Sequence, residues 1–305
     1  MIHLDDAAVE RHGDLAAITD GLIDAWKDLA AGEAATTVRV RTAVGTLMAS
    51  GMAAVLPSKG VAGGKLYATH PNGFDFIIAL FGAEGGVLAT FEGRALTAMR
   101  TAAATAAAVR HLKPEDASVA ALFGTGYQST WHALALAQEL DLEELRICGR
   151  TPAAVEQLVT WSRERGIPAV SAGADDAVQG AHVVAAVTAA YEPVFSGASL
   201  APNALVCGVG ATKADRREID TETIRRADLI YADGVDGAKV EAGDLVAAAR
   251  DGALDWARVR DIAEVITGAS GRNADTGIVL YESQGIALQD VAAAAIIYAR
   301  CAGDA

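Results

Sequence analysis

The chain has 305 residues, of which 52% are hydrophobic, and it has a formal net charge of −14. This length is typical of two domains, and the negative charge argues against nucleic acid as a partner, because phosphate binding needs a basic surface. No apolar run reaches the roughly eighteen residues of a membrane span, and the first residues lack the basic start of a signal peptide. We therefore expect a cytoplasmic protein without a membrane partner. Cys148, Cys207 and Cys301 are too widely spaced for a disulfide framework or a metal site, so no metal is expected.

The N-terminal third predicts a helix followed by a sheet. Ile18, Leu22 and Trp26 recur at helical spacing within residues 5–31. Residues 37–44 alternate as a strand does, with Arg39 and Arg41 on the same face. Further strands are predicted over residues 46–52, 63–69, 76–81 and 87–91. Strands separated by glycine turns favour a mixed or antiparallel sheet over alternating βα units.

Lys65 lies inside one of these strands, in the segment G-G-K-L-Y-A. Its strand position alone predicts a surface residue, because lysine is rarely buried and is common on sheet edges.

Arg100 lies in the alanine-rich segment from Leu96 to Leu112, which predicts a tightly packed helix. With Thr97 as N-cap, Arg100 falls in the first turn, where the helix dipole disfavours a cation. A bound anion at this end would resolve the conflict. The alternative is an arginine that bends away into solvent.

A glycine turn follows the next predicted strand. The apolar run from Val119 to Phe123 leads into Gly124-Thr125-Gly126 and then into a helix-compatible segment. This strand–turn–helix pattern is typical of the phosphate-binding corner of dinucleotide folds, in which the glycines allow the backbone to approach the pyrophosphate. The third glycine of the pattern is replaced here by Ser129.

Arg150 follows a second short strand, Leu145–Cys148, within Gly149-Arg150-Thr151. An acidic residue about 20 positions beyond the glycine turn is typical of NAD binding, whereas an arginine suits the 2′-phosphate of NADP. We therefore predict NADPH as the preferred cofactor, with NAD possible, although an exposed strand-end arginine needs no ligand. Thr151 and Pro152 predict the start of the next helix.

The βα alternation continues through predicted strands at residues 168–170, 181–187, 204–209 and 229–232, a helix over 240–249, and a strand with a long helix after residue 278. Ligands of open α/β sheets bind beyond the carboxyl ends of the strands. The strand-end residues Val187, Thr188, Val209 and Gly210 are therefore expected to line the cofactor site.

Taken together, these motifs resemble those of the ornithine cyclodeaminase/μ-crystallin family in the right order over nearly the whole chain. The matching segments are V-R-T at residues 40–42, the lysine strand at Lys65, L-T-A-M-R-T-A-A at 96–103, G-T-G-Y-Q at 124–128, G-R-T at 149–151, R-E-I-D at 217–220 and S-x-G-x-A-x-x-D at 283–290.

The resemblance implies an α/β fold: a Rossmann-type doubly wound parallel sheet plus a smaller mixed α+β domain for substrate binding and dimerisation. The expected boundaries are residues 1–114 plus 273–305 for the smaller domain and 115–272 for the dinucleotide-binding domain. A homodimer is implied, formed through the smaller domain.

The resemblance also implies the site. Arg41, Lys65 and Arg100 are expected to surround the carboxylate of the substrate, which revises the surface position predicted for Lys65, and Lys65 is the expected catalytic residue. The residues expected at the cofactor are Arg100, Thr101, Gly124, Thr125, Gly126, Tyr127, Gln128, Gly149, Arg150, Thr151, Val187, Thr188, Val209 and Gly210.

The chain departs from the cyclodeaminases at Thr212, where those enzymes have an aspartate that serves in ammonia removal and ring closure. A threonine is a poor general base at neutral pH. We therefore expect an NAD(P)H-dependent reductase of cyclic imino acids, such as Δ1-pyrroline-2-carboxylate or Δ1-piperideine-2-carboxylate, with Thr212 near the substrate. The alternatives are an alanine dehydrogenase-like reaction on a 2-oxo acid, a cyclodeaminase that uses another base, and a non-catalytic NADPH or small-ligand binder.

Overall fold

The computed structural model describes residues 1–303, which form two compact units. Unit 1 comprises Met1–Ala104 and the described part of Gly285–Ala305, and unit 2 comprises Thr105–Gln284. The strands are β1 Ile2–Leu4, β2 Ala35–Thr36, β3 Val40–Val44, β4 Leu47–Leu56, β5 Val61–His70, β6 Gly73–Gly82, β7 Val87–Phe91, β8 Val119–Phe123, β9 Glu144–Cys148, β10 Ala169–Ser171, β11 Val183–Ala186, β12 Leu205–Gly208, β13 Ala227–Ala232, β14 Val259–Asp261 and β15 Ile278–Glu282.

The α-helices are α1 Asp6–His12, α2 Leu15–Ala30, α3 Arg94–Leu112, α4 Tyr127–Glu139, α5 Pro152–Arg163, α6 Ala174–Val178, α7 Thr221–Arg226, α8 Val235–Glu241, α9 Gly243–Arg250, α10 Ile262–Ile266 and α11 Ala287–Gly303. Short 3₁₀ helices occupy Pro57–Lys59, Gly197–Ser199 and Trp256–Arg258.

Unit 1 is built on a seven-stranded mixed sheet, in the order β1-β7-β6-β5-β4-β2, with β3 also paired to β4. The pair β1–β7 is parallel, and the other pairs are antiparallel. This confirms the mixed or antiparallel sheet predicted from the sequence. The central strands β4, β5 and β6 are longer than their apolar cores indicated, because pairing continues through their small and polar ends.

Helix α11 packs against β4, β5 and β6 on one face of this sheet. The approach is close at Gly63, where an added Cβ would lie 3.1 Å from Cγ2 of Val291. Residues along these strands point alternately to the face that α11 covers and to an exposed face, as expected for a sheet with a core on one side. The core of unit 1 therefore lies between the sheet and its helices, which include the buried Ile18, Leu22 and Trp26 of α2.

Helix α3 begins at Arg94, four residues before the start that an N-cap at Thr97 implies. Thr97 is not the N-cap: its N–H and its hydroxyl both donate to the carbonyl oxygen of Gly93, so it lies inside the first turn. Arg100 consequently lies in the second turn, where the helix dipole is weak. The helix-dipole argument for an anion beside Arg100 therefore does not apply, and Arg100 has a partner within the protein, described below.

Unit 2 is a Rossmann-type doubly wound α/β structure with an eight-stranded sheet in the order β10-β9-β8-β11-β12-β15-β13-β14. All of its neighbouring strands are parallel. The chain winds outward from β8 to β10 and then returns to place β11 on the other side of β8. The switch point therefore lies between the carboxyl ends of β8 and β11, which is where ligands of open α/β sheets bind.

Unit 1 is smaller than the domain expected from the sequence, because it ends at residue 104 instead of 114 and resumes at 285 instead of 273. Strand β15 pairs with β12 and β13 in the parallel sheet, so residues 273–284 group with unit 2 rather than with the smaller domain. The junction near residue 104 falls within α3, so no loop or composition change marks it.

Two predicted helices are each divided in the structure. The helical pattern over residues 5–31 is broken between α1 and α2, where Asp14 caps α2 by accepting from the N–H of Ala17. The predicted helix over 240–249 is split at Ala242 into the short helices α8 and α9. Among the described residues, no helix is both long enough and apolar enough to cross a membrane.

Candidate active site

Three ionisable side chains meet in the interior of unit 1: Lys65 of β5, Arg100 of α3 and Asp290 of α11. Lys65 and Arg100 are each only 4% exposed, and Asp290 is fully buried. Oδ1 of Asp290 lies 3.0 Å from Nε of Arg100 and 3.6 Å from Nζ of Lys65. Lys65 also donates to the hydroxyl of Thr97 at 2.7 Å, and Arg100 donates to Oε1 of Gln289 at 2.8 Å. Three distant segments thus form one charged cluster in which one carboxylate faces two cations.

The environment of Lys65 suits a proton-transfer role. Burial, opposed by the negative charge of Asp290, lowers the pKa of Lys65 to about 7, and the positive charges of Arg100 and Arg39 contribute to the lowering. An amine with a pKa close to neutral can both hold and release a proton under physiological conditions. The surface position predicted from the strand pattern alone is wrong, because the partners of Lys65 come from other parts of the chain.

Gly285, the glycine of the S-x-G-x-A-x-x-D motif, lets the chain pass close to the cluster. Its φ of 79° is in the left-handed region, and an added Cβ would lie 2.8 Å from both terminal nitrogens of Arg100. Its carbonyl oxygen accepts a hydrogen bond of 2.9 Å from Arg39. The motif therefore combines a backbone turn beside Arg100 with the carboxylate that pairs with it.

Arg41 lies on β3, opposite Ser50 of β4, which in turn lies opposite Tyr67 of β5. Directly opposed residues of a sheet share a face, and so do residues two apart on one strand. Arg41 therefore faces the same side of the sheet as Lys65. All three cations that the resemblance assigned to the substrate belong to unit 1, and Lys65 and Arg100 share the carboxylate of Asp290.

The glycine turn of unit 2 has the form that a dinucleotide needs. Gly124 has a φ of 115°, and an added Cβ would collide with the carbonyl oxygen of Val187, so only glycine fits. At Gly126, the N-cap of α4, an added Cβ would meet nothing within 4 Å. The first turn of α4 contains no acidic residue, so no carboxylate there offsets the helix dipole, which favours a phosphate at this end. These residues fit the pyrophosphate of a nicotinamide dinucleotide.

The carboxyl ends of β11 and β12 are tied together by Glu218. One oxygen of its carboxylate accepts from the N–H of Thr188, and the other accepts from the N–H groups of Gly210 and Ala211 at 2.5 and 3.1 Å. Asp244 supports the segment in turn, because its Oδ1 accepts from the N–H groups of Glu218 and Ile219, both at 2.9 Å. The loops after β11 and β12 are thus held by one buried carboxylate.

A third buried carboxyl group, Glu282, lies at the end of β15 beside Gly208. Burial, together with the charges of Asp244, Glu218 and Asp233, raises the pKa of Glu282 well above its usual range. Burial likewise raises the pKa of Asp244 to about 7 and raises the pKa of Glu218. Glu218, Asp244 and Glu282 therefore resist being ionised all at once, because three negative charges in this buried space would repel one another.

Of the remaining predicted residues, three follow strands of unit 2 and one lies in α3 of unit 1. Arg150 is exposed just beyond the end of β9, and Thr151 is the N-cap residue of α5, although its hydroxyl makes no capping bond. Thr212 follows the end of β12 in a partly exposed loop. Thr101 is buried in α3 of unit 1, and its hydroxyl donates to the carbonyl oxygen of Thr97 at 2.6 Å.

Sequence reasoning assigned no role to Asp290, Gln289, Glu218 or Glu282. A signal was present for Asp290, since a single carboxylate in the apolar run of α11 requires a buried cation as partner. Glu218 and Glu282 gave no such signal, because Glu218 accepts from backbone N–H groups and Glu282 accepts from the side-chain amide of Gln284.

Comparisons with known proteins agree with this architecture. The sequence model described as "Ornithine cyclodeaminase/mu-crystallin family" matches residues 2–304. The ketimine reductase mu-crystallin of Mus musculus is 31% identical over 271 residues, covering 85% of this chain and 83% of that protein. The Delta(1)-pyrroline-2-carboxylate/Delta(1)-piperideine-2-carboxylate reductase of Azospirillum brasilense is 32% identical over 276 residues, covering 87% and 85%.

Among solved structures, the probable ornithine cyclodeaminase from Bordetella pertussis Tohama I is similar, with a TM-score of 0.93 and 38% sequence identity. The match covers 100% of this chain and 98% of that one. With a family match over almost the whole length, this chain belongs to the ornithine cyclodeaminase/mu-crystallin family.

Proposed function

We propose that this protein is an NADPH-dependent reductase of cyclic imino acids, acting on substrates such as Δ1-pyrroline-2-carboxylate or Δ1-piperideine-2-carboxylate. The chain is a nicotinamide-dependent oxidoreductase that acts on C=N bonds, in keeping with its named relatives. The observation that supports the reductase most strongly is the buried cluster of Lys65, Arg100 and Asp290, which suits a carboxylate-bearing substrate and a proton donor.

The residues of unit 1 bind and orient the substrate. Arg41 and Arg100 hold its carboxylate through charge-assisted hydrogen bonds. Lys65 donates to the same region and keeps a proton near the imine nitrogen, which becomes an amine on reduction. When bound, a reduced nicotinamide supplies the hydride for the imine carbon. Fixing the carboxylate in one position also fixes the position of the imine carbon. This orientation accelerates the reaction, because the reacting atoms are already aligned.

The residues of unit 2 bind the cofactor. Gly124, Gly126 and the start of α4 receive the pyrophosphate, and the loops held by Glu218 present Thr188 and Gly210 at the strand ends. Arg150 binds the 2′-phosphate that distinguishes NADPH from NADH.

Changing Arg150 to alanine should weaken NADPH binding about tenfold or more and leave NADH binding nearly unchanged. The reason is that a charge-assisted contact to phosphate contributes about 1.5–3 kcal/mol. Titration of both cofactors against both proteins measures this. Arg165→Ala is a suitable control, since Arg165 stacks on Trp161 at the other end of α5. Equal affinity of the unaltered protein for NADPH and NADH would contradict the proposed preference.

A second candidate function is cyclodeamination of ornithine, because the similar Bordetella protein is called a probable ornithine cyclodeaminase. Cyclodeaminases use an aspartate at the position of Thr212, and a neutral hydroxyl cannot act as a base there. We therefore expect NADPH oxidation with pyrroline-2-carboxylate and no ammonia from ornithine. Thr212→Ala should lower turnover only modestly. Stoichiometric ammonia and proline formed from ornithine with catalytic NAD would overturn the reductase proposal.

A homodimer through unit 1 is also proposed, on the basis of the exposed sheet face opposite α11. This face presents Leu47, Val55, Leu66, Ile77 and Phe81, which are between 43% and 59% exposed. Register places Leu66 beside Ile77 in one row, and Phe81, Ala62 and Val55 side by side in another. The small residues Ala53, Gly64 and Ala79 pair in the row between them, so the face has no polar break there. Contiguous apolar surface of this kind is typical of protein interfaces.

The substitution Phe81→Glu should convert the dimer to a monomer in sedimentation at micromolar concentration, because it places a charge in the apolar face. Val240→Glu is the matched control: Val240 of α8 is 63% exposed, in unit 2, and its replacement should leave the mass unchanged. A monomeric unaltered protein would contradict the dimer.

A further inference from the structure

Aromatic side chains lie beside the ammonium group of Lys65. Tyr67 and Phe76 are directly opposite on β5 and β6, with ring centroids 5.3 Å apart at an interplanar angle of 39°. Phe74 stacks on Phe76 at 5.9 Å. Nζ of Lys65 lies 4.6 Å from the ring centroid of Phe76 and 5.8 Å from that of Tyr67. The proton donor of the proposed reaction is therefore in contact with an aromatic surface, which we call the aromatic wall (Tyr67, Phe74 and Phe76).

The aromatic wall and the cation Arg41 belong to one row across the sheet. Arg41, Ser50, Tyr67 and Phe76 pair successively across β3, β4, β5 and β6 and face the same side. Neighbouring strands are about 4.8 Å apart, so Arg41 and Tyr67 lie on strands roughly 10 Å apart. Ser50, between them, is 1% exposed, and its hydroxyl has no hydrogen-bond partner among the described residues. Such a row can bind a carboxylate at one end and hydrocarbon at the other.

The chemistry of the aromatic wall disfavours a second anionic group. Ring faces have a negative electrostatic potential and offer no hydrogen-bond donors to a carboxylate. The other cation close enough to affect Lys65 is Arg39, and its guanidinium donates to the carbonyl oxygen of Gly285 at 2.9 Å and contacts Sδ of Met52 at 3.7 Å. Arg39 thus already holds the turn at Gly285, and the surface beside Lys65 suits methylene groups.

We propose that Tyr67 and Phe76 are specificity-determining residues that hold the hydrocarbon part of the substrate. On this proposal, which rests on the proposed reductase function, the enzyme selects imino acids with an unsubstituted apolar ring. It discriminates against imines that have a second carboxylate. The carboxylate of the substrate binds to the cations, and the ring methylenes pack against the aromatic wall.

The test compares the unaltered protein with Phe76→Ala and Phe76→Leu on three imines: piperideine-2-carboxylate, the imine formed from pyruvate and ammonia, and that formed from oxaloacetate and ammonia. The unaltered protein should have its highest kcat/KM for the ring and its lowest for the dicarboxylate. In Phe76→Ala, kcat/KM should fall about tenfold or more for the ring but little for the pyruvate imine, because only a methyl group of that imine can contact the aromatic wall. Phe76→Leu keeps apolar volume and should restore most of the loss.

Two results would overturn the proposal: an equal loss on all three imines in Phe76→Ala, or a preference of the unaltered protein for the dicarboxylate. The latter outcome would identify Arg39 as a binding group for the second carboxylate.

A binding measurement separates this proposal from the reductase function. If the unaltered protein reduces none of the imines, the reductase proposal fails, and the aromatic wall is then tested with the saturated amino acids pipecolate and aspartate in the presence of NADP. Pipecolate should raise the melting temperature of the unaltered protein and not that of Phe76→Ala, while aspartate should raise neither. An equal shift by pipecolate in both proteins, or a larger shift by aspartate, would refute the aromatic wall as a substrate-binding surface.

Discussion

Replacing Lys65 with alanine is expected to lower kcat/KM for imine reduction by about a hundred- to ten-thousandfold, the usual contribution of a positioned proton donor. The variant loses the hydrogen bond to Thr97 and the ion pair with Asp290, and with them the ammonium group beside the aromatic wall. Lys59→Ala is the matched control, since Lys59 is exposed in the 3₁₀ helix that precedes β5. A loss of less than tenfold would remove Lys65 from the reaction.

The pH dependence identifies Lys65 independently of the loss in rate. Because its pKa is about 7, kcat/KM should fall as the pH rises above 7 and the ammonium group loses its proton. Lys65→Arg keeps the charge at all accessible pH values and should abolish that decline. If the decline persists unchanged in Lys65→Arg, it belongs to the imine itself or to another group.

The same pKa predicts how stability depends on pH. The unfolded chain holds the proton of Lys65 up to its ordinary pKa of 10.5, whereas the folded chain releases it near 7. In this window the unfolded state binds more protons, so this group makes the free energy of unfolding rise with pH between about 7 and 10.5. Below pH 7 the full cost of burying the ammonium group is present. Lys65→Met should therefore stabilise the protein most at low pH, as measured by denaturant unfolding at pH 6.5 and 9.

The largest effect on stability is expected for Asp290→Ala, with a loss of about 3–5 kcal/mol in the free energy of unfolding. Asp290 faces both Lys65 and Arg100, and removing one partner of a buried ion pair leaves uncompensated charge. Denaturant titration should show a lower midpoint with an unchanged slope. Asp275→Ala, which alters an exposed carboxylate, should change stability by less than about 0.5 kcal/mol.

A double variant makes this prediction specific to the cluster. Without Asp290, the buried Lys65 and Arg100 both lack their carboxylate partner. Adding Lys65→Met to Asp290→Ala removes one of these two cations, so part of the lost stability should return. Strict additivity of the two changes would show that Asp290 and Lys65 are energetically independent. Asp290→Asn, if folded, should also move the alkaline decline in activity to lower pH, because the charge of Asp290 raises the pKa of Lys65.

The parts of this fold that could be predicted from sequence are those fixed by local patterns. The sequence predicts strand β8 with its observed bounds, Val119 and Phe123, because the apolar run ends at a glycine turn that fixes where the strand stops. The start of α3 was predicted too late, because the hydroxyl of Thr97 bonds back to Gly93 inside the helix, where a threonine was expected to cap it. A threonine is common both as an N-cap and inside the first turn, where its hydroxyl bonds back to a carbonyl oxygen. Which of the two applies here depends on where the helix begins, at Arg94.

The candidate site was only partly predictable, for a different reason. The burial of Lys65 depends on Asp290 in the last helix, and the aromatic wall depends on the register of β5 and β6. Register and helix docking are long-range properties that no local spacing encodes. The resemblance to a family supplied Arg41, Lys65 and Arg100 as a set, whereas the carboxylate that organises two of them emerged only from the structure.

The tie made by Glu218 has a consequence for the motions of the cofactor loops. The N–H groups of Thr188, Gly210 and Ala211 all donate to one buried carboxylate. None of them can exchange with solvent unless its hydrogen bond to Glu218 breaks. Their protons should exchange with solvent deuterium together, as one opening event, although Thr188 lies far from the other two in sequence. Loops at ligand sites commonly exchange early and separately; here the two strand ends should behave as a single slow unit, rigid before any cofactor arrives.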